Sequence, residues 1–273
     1  MIIISYQISL FDDVVKKKQH TNFDNLKILS LNLQSSSKNR AEKQIRWLVS
    51  INAQILVLTE VRSLETINYI ISFLEYYQYN VVYRMSNSYV TLIAVKDVSY
   101  TLLPLNEVNI DDPRVVAICL QRGEKLINLF GLYVPTCGRD LEKHEIKKRF
   151  QDNFISSIEK FCKDKKQTHI FIGDFNVLEP NHIPSYYGFQ KWTYFYNFFI
   201  SIDCIDAFRY IRGNVKEYSW SRGENKQRLD HAFVSRAIMS EVLDCCYIQD
   251  PVNMHLSDHA ALLLEFKGNH VNE

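Results

Sequence analysis

The stretch HIFIGDFN, residues 169–176, decides how the rest of the chain is read. An apolar run with the length of a buried strand reaches Gly173 and then delivers Asp174 and Asn176. Polar groups at strand ends sit on loops that a rigid sheet aims at one cleft. The same arrangement recurs along the sequence. LKILSLN (26–32) ends in Asn32, ILVLTE (55–60) ends in Glu60, and Asp258-His259 stands just before AALLLEF (260–266).

Helical patterns alternate with these strands. Residues 38–50 and 63–77 have helical spacing, and a long amphipathic helix is expected from about Asp140 to Cys162. YNVVYR (79–84) and YVTLIAV (89–95) read as consecutive strands, and VVAICLQ (115–121) and KLINLFGLYV (125–134) flank a hairpin turn at Arg122-Gly123-Glu124. Residues 190–211 are aromatic-rich and helical in part. EYSWS (217–221), RLDHAFVS (228–235) and LDCCYIQ (243–249) complete the strand set. Many strands with interspersed helices imply an α/β fold of two packed, mostly antiparallel sheets flanked by helices. Residues 1–25 read as an N-terminal arm or edge strand, and 26–273 as a single domain.

Composition narrows the class. Of 273 residues, 47% are hydrophobic, enough for one large core, while eight glycines and six prolines argue against long flexible linkers. The net charge of +1 neither demands nor excludes a polyanionic partner. Six cysteines without a CxxC pair or a Cys/His zinc spacing read as thiols in a reducing compartment. The start MIIISYQISLFDD lacks a basic leader and a cleavage site, and no stretch approaches the ~20 apolar residues of a membrane span. A cytoplasmic protein without a membrane role is expected.

The residue types at the strand ends suit phosphodiester hydrolysis. That reaction needs a hard cation, a base for water and donors for the phosphoryl oxygens. Mg2+ prefers carboxylate, carbonyl and water oxygens. Singly, each candidate has a plainer reading. Asn32 suits a turn, Glu60 a helix start, Tyr133 and Trp220 the core, and Asp230 an ion pair with Arg228 or Arg209; His259 could be a satisfied core histidine.

Together, LSLN (29–32), LTE (58–60), LYVPT (132–136), GDFN (173–176), RLDHAFVS (228–235) and LSDHAALLLEF (256–266) resemble, in order, the motifs of the endonuclease/exonuclease/phosphatase superfamily. The nearest branch is that of exonuclease III and the abasic-site endonucleases. The resemblance implies a DNase I-like four-layer sandwich and a Mg2+ (or Mn2+) cofactor. It implies Glu60 as principal metal ligand, with Asn32 near it and Asp258 completing the site. It further implies Asp174 as the acid that orients or deprotonates water, Asn176 as an amide on water or phosphate, and Tyr133 as a phosphate contact. His259 would face the scissile phosphate, its ring fixed by Asp230.

A DNA nuclease resembling exonuclease III is the expected activity, with DNA ahead of RNA as partner and no obligate protein partner. The alternative is a phosphodiesterase or phosphatase acting on RNA or a small phosphoester such as a nucleotide, inositol phosphate or lipid headgroup. A non-catalytic binding protein is the reading least compatible with a full motif set. Six basic residues between Arg209 and Arg228, against Glu217 and Glu224, are expected to meet backbone phosphates. Two features depart from abasic-site enzymes. SRGENKQ (221–227) is short and polar, with Gln227 where a large apolar residue is usual, and Val61-Arg62 follows Glu60 without the usual lysine. Helix 140–162 mixes Lys143, Lys147, Lys148 and Arg149 with four acids, the pattern of a solvated face.

Overall fold

A computed structural model describes residues 25–103, 108–162 and 167–268. The arm expected at 1–25 lies, apart from Asn25, outside the described residues. The chain begins with β1 (Asn25–Asn32), α1 (Lys38–Ser50), β2 (Ile55–Val61), α2 (Leu64–Tyr76), β3 (Asn80–Tyr83) and β4 (Val90–Val95). It continues with β5 (Tyr100–Leu102), β6 (Val115–Arg122), β7 (Lys125–Tyr133), α3 (Leu141–Phe161) and β8 (Thr168–Asp174). Then come α4 (Tyr187–Gln190), α5 (Thr193–Ser201), β9 (Cys204–Asp206), α6 (Ala207–Arg212), β10 (Trp220–Arg222) and β11 (Asn225–Gln227). The last elements are β12 (Asp230–Ser235), α7 (Arg236–Met239), β13 (Val242–Ile248), α8 (Asp250–Asn253) and β14 (Ala261–Lys267).

Two six-stranded sheets result, ordered β13-β14-β1-β2-β4-β3 and β5-β6-β7-β8-β12-β9. Each has one parallel pair, at its centre: β1 with β2, and β7 with β8. A parallel pair needs a crossover, and α1 and α3 supply them. All other pairings are antiparallel, as expected.

Period-two alternation sorts the side chains into layers. Ile28 of β1 and Ile170, Ile172, Ala232 and Val234 of β8 and β12 fill the core between the sheets. Leu29 and Leu31 face α1 and α2 on one outside. Phe171 and Phe233 face α3 and α5 on the other, among Phe154, Phe195 and Phe199. The order is helices, sheet, sheet, helices: the four-layer sandwich. Gly131 is required where the sheets approach, since a Cβ there would lie 2.9 Å from Val57 and 3.2 Å from Thr91.

EYSWS forms a strand only from Trp220, where it pairs with β11 in a separate two-stranded hairpin. Ser219 before it is held to Gln227 and Ala260 instead. Among the described residues all six cysteines are free, and no helix is long and apolar enough to cross a membrane.

Candidate active site

The topology brings the C-terminal ends of both parallel pairs to one edge of the sandwich. Asn32 ends β1, Glu60 lies near the end of β2, and Tyr133 and Asp174 end β7 and β8 as register partners. Asp230 opens β12 opposite Asp174, and Asp258-His259 precede β14 beside β1.

Local backbone features aim these groups. The β2–β4 register shifts between Leu58 and Val61, and Glu60 within the shift adopts φ 55°. A bulge of this kind re-aims a side chain, and a left-handed glutamate marks a position set by its surroundings. Its carboxylate accepts from Ser35 Oγ at 3.3 Å. Gly173 has no substitute, because at φ 147° a Cβ would lie 2.0 Å from the Leu132 carbonyl oxygen. That approach lets β8 reach Asp174 while paired to β7. Asn176 is also left-handed, at φ 49°, with its N–H donating to Asp174 Oδ1 at 2.9 Å.

Asp174 is 1% exposed. Its Oδ2 accepts from Asn32 Nδ2 at 2.8 Å and from Asn176 Nδ2 at 3.0 Å, and Asn176 Nδ2 also donates to the Val134 carbonyl at 2.9 Å. Both asparagines therefore fix Asp174 first. His259 Nδ1 lies 2.8 Å from Asp230 Oδ2. Ligand atoms of Asp174, Asp230 and His259 all lie within 4.8 Å of one another.

A framework of serines and Trp220 holds the second half of the site. Ser219 Oγ accepts from the N–H groups of Leu229 and Asp230, each at 2.9 Å, and Ser219 O accepts from Ala260 N at 2.6 Å. Ser257 Oγ donates to Asn32 O at 2.7 Å and accepts from His259 N at 3.1 Å, so one hydroxyl ties β1 to the histidine. Trp220 Nε1 donates to Asp258 Oδ2 at 2.9 Å, while Asp258 Oδ1 is buried without a hydrogen-bond partner among the described residues.

Burial raises the Asp174 carboxyl, and the charges of Asp230 and Glu60 raise it further against the opposing pull of His259. Burial alone would depress His259, but Asp230 overrides that and, with Asp174, raises the imidazole to about 10. Burial, Glu60 and Asp174 push the Tyr133 phenol up, so its hydroxyl stays protonated as a donor. The cluster thus presents closely spaced acids with one cationic imidazole.

Asn32, Glu60, Tyr133, Asp174, Asn176, Asp230, Asp258 and His259 thus occupy one sandwich edge. Asp230 takes His259 rather than Arg228 or Arg209 as partner. Trp220, read as a core aromatic, is only half-buried and holds Asp258.

The basic run is also corrected. Arg228 is 0% exposed and pairs with Glu179 and Asp206, Arg209 chelates Glu179, and Arg212 meets Asp244. Only Lys216, Arg222 and Lys226 of that run are exposed. The aromatic stretch divides in the same way: Phe195, Tyr196, Phe198 and Phe199 are buried, while Tyr194 and Tyr210 remain accessible. Lys147, assigned to a solvated face, is 1% exposed. It lies on the stripe of Phe150, Gln151, Phe154 and Ile158, a helical spacing that its charge obscured. Ser219 and Ser257, inside the YSW and LSDH stretches, gave no signal apart from their motifs.

No family model and no curated protein matches this sequence. Solved structures do. The Neisseria 3′ phosphatase NExo, bound to a product DNA hairpin, superposes with a TM-score of 0.70 at 18% identity, covering 89% of this chain and 99% of that one. An AP endonuclease from Archaeoglobus fulgidus gives 0.67 at 21%, covering 88% and 99%. The AP endonuclease LMAP from Leishmania major gives 0.70 at 17%, covering 93% and 92%. At such identities the likeness is one of architecture, and it spans nearly the whole of each partner. The fold of this chain is the one that these AP endonucleases and NExo share.

Proposed function

We propose that the protein is a divalent-metal-dependent phosphodiester hydrolase acting on DNA, in the manner of exonuclease III. One observation carries the reading: Asp174, held by two amides, shares a site with a charged His259–Asp230 pair at the sandwich edge that receives Glu60. The structural neighbours named as AP endonucleases and as a 3′ phosphatase support it.

The donor set fits a hard cation. Clustered carboxylates with a raised Asp174, and a buried Asp258 oxygen without a partner among the described residues, make a site short of positive charge. Glu60 would hold Mg2+ or Mn2+, with Asn32 and Asp258 beside it. Bound there, the ion would polarise the phosphoryl oxygens and offset the charge of the leaving oxyanion.

The remaining chemistry belongs to the chain. Asp174, fixed through both carboxylate oxygens, orients the attacking water and takes its proton. Asn176 has both amide hydrogens engaged on Asp174 and Val134, so its Oδ1 is the atom left to accept from that water. His259, kept charged by Asp230, faces the anionic phosphate, and the Tyr133 hydroxyl donates to a phosphoryl oxygen. The hairpin of β10 and β11 has three residues per strand and a polar sequence, which favours end trimming or cutting of intact DNA over a dedicated abasic-site activity.

A second reading rests on the basic run, half of which is spent inside the protein: a smaller phosphoester would need fewer exposed cations. Both readings meet one assay, Mg2+-dependent cleavage of matched labelled duplexes, intact and abasic, with Asp174→Asn as control. Metal-dependent trimming or nicking that vanishes in the variant is expected. A folded, metal-binding protein that leaves both duplexes whole would move the substrate to RNA or small phosphoesters.

A further inference from the structure

Lys147 is a buried cation that the proposed chemistry does not use. It sits on α3, across the helix–sheet interface from the turn after β8, and its Nζ donates to the carbonyl of Asn176. The same ammonium lies 5.1 Å from the centroid of the Trp192 ring. Among the described residues no carboxylate forms an ion pair with it. An interior lysine is costly unless its charge or its donors meet a specific need.

The turn supplies that need. At φ 49°, Asn176 is held left-handed, and its carbonyl meets an interior donor rather than a sheet partner. Left without a donor, that buried carbonyl would be unsatisfied, and the turn would relax toward an ordinary conformation. Neighbouring groups fix the rest: Phe175 N donates to Leu229 O at 2.9 Å, and the His231 ring nitrogen Nε2 lies 2.9 Å from Val177 O. Within this turn, Lys147 secures the carbonyl of the residue that also holds Asp174, through its N–H at 2.9 Å and its side chain at 3.0 Å.

We infer that Lys147 is a positioning residue that acts through Asn176 to hold Asp174 at the angle needed to orient water. This deepens the function proposed above and rests on it. The contribution is to turnover, since Lys147 lies beneath the site and touches no substrate.

The test compares wild type, Lys147→Met and Lys147→Arg in steady-state cleavage of the duplex that wild type cuts, alongside hydrogen exchange of amides 174–178. Expected for Lys147→Met are a fall in kcat of about 10- to 100-fold, an unchanged KM, and faster exchange confined to the turn. Lys147→Arg retains a donor and should recover most of the kcat. Wild-type kcat and a protected turn in Lys147→Met would overturn the inference. Faster exchange throughout the chain would also overturn it, by making Lys147 a general stability residue. An inactive wild type would instead refute the DNA nuclease reading, and the exchange of the turn would still decide whether Lys147 holds it.

Discussion

Two groups of buried carboxylates lie on either side of the entry to β12, and their charge balance is opposite. Behind the site, Asp206 and Glu179 are met by Arg228 and Arg209, with His182 and His231 alongside. Burial would raise both acids, yet the guanidinium groups hold them well below the usual carboxylate range. Two residues further on, Asp230 pairs with His259, whose charge also acts on Asp174, and Asp174 is nonetheless raised. Tertiary ion pairs hold Arg228 and Arg209 behind the site and keep them out of it. A fully compensated cluster stabilises the fold, whereas a cluster left short of positive charge suits an incoming cation and a phosphate chemistry that depends on one.

Substitutions on the two sides should therefore fail differently. Asp174→Asn is expected to lower turnover by about a thousandfold or more while leaving the melting temperature of the metal-free protein unchanged or higher, since a poorly compensated buried acid is removed. Single-turnover rates with parallel melts check this, and normal turnover would remove Asp174 from the chemistry. Arg228→Met should do the reverse. Stranding Asp206 and part of Glu179 would cost about 3–5 kcal/mol of stability, read from urea unfolding. A loss below about 1 kcal/mol would mean that Arg209 and the histidines suffice.

The pH dependence carries opposite signs. His259 is raised from 6.5 to about 10 in the folded chain, so its stabilisation is complete below pH 6.5 and lost as pH rises through about 10. Metal-free stability should fall there by up to about 1.4 kcal/mol per pH unit, and His259→Ala should flatten the slope. Asp206 and Glu179 are depressed, so their contribution is present above their ordinary values of 3.8 and 4.5 and is lost as pH falls below them. Denaturant melts across pH test both limbs. The smallest effect is expected for Trp220→Phe, which removes the hydrogen bond to Asp258 together with part of a half-buried ring and should cost about 1 kcal/mol, less than tenfold in turnover.

The same contrast explains how far the sequence could be read. Strands whose apolar run ends in Asn32, Glu60 or Asp174 announce the fold and point to the candidate site, because hydrophobic periodicity and strand-end polarity are local signals. The 38–50 helix was legible to its ends. Charge compensation is not local. Arg228 pairs with Glu179 and Asp206, 49 and 22 residues away, and nothing in RLDH distinguishes a buried guanidinium from one that meets phosphate. Lys147 is illegible for a similar reason: its acceptor, the Asn176 carbonyl, lies 29 residues further along the chain. Trp220 reads as core in the sequence because its indole N–H gives no sign there of the Asp258 oxygen it meets.

The most direct test of the central contrast is calorimetric titration of Mn2+ into the full chain at neutral pH, for wild type, Glu60→Gln and Arg209→Gln. The account predicts a bound ion in wild type, weaker binding by tenfold or more in Glu60→Gln, and unaltered binding in a folded Arg209→Gln. Equal binding by wild type and Glu60→Gln, or none in a folded wild type, would contradict the assignment of the under-compensated cluster as the cation site.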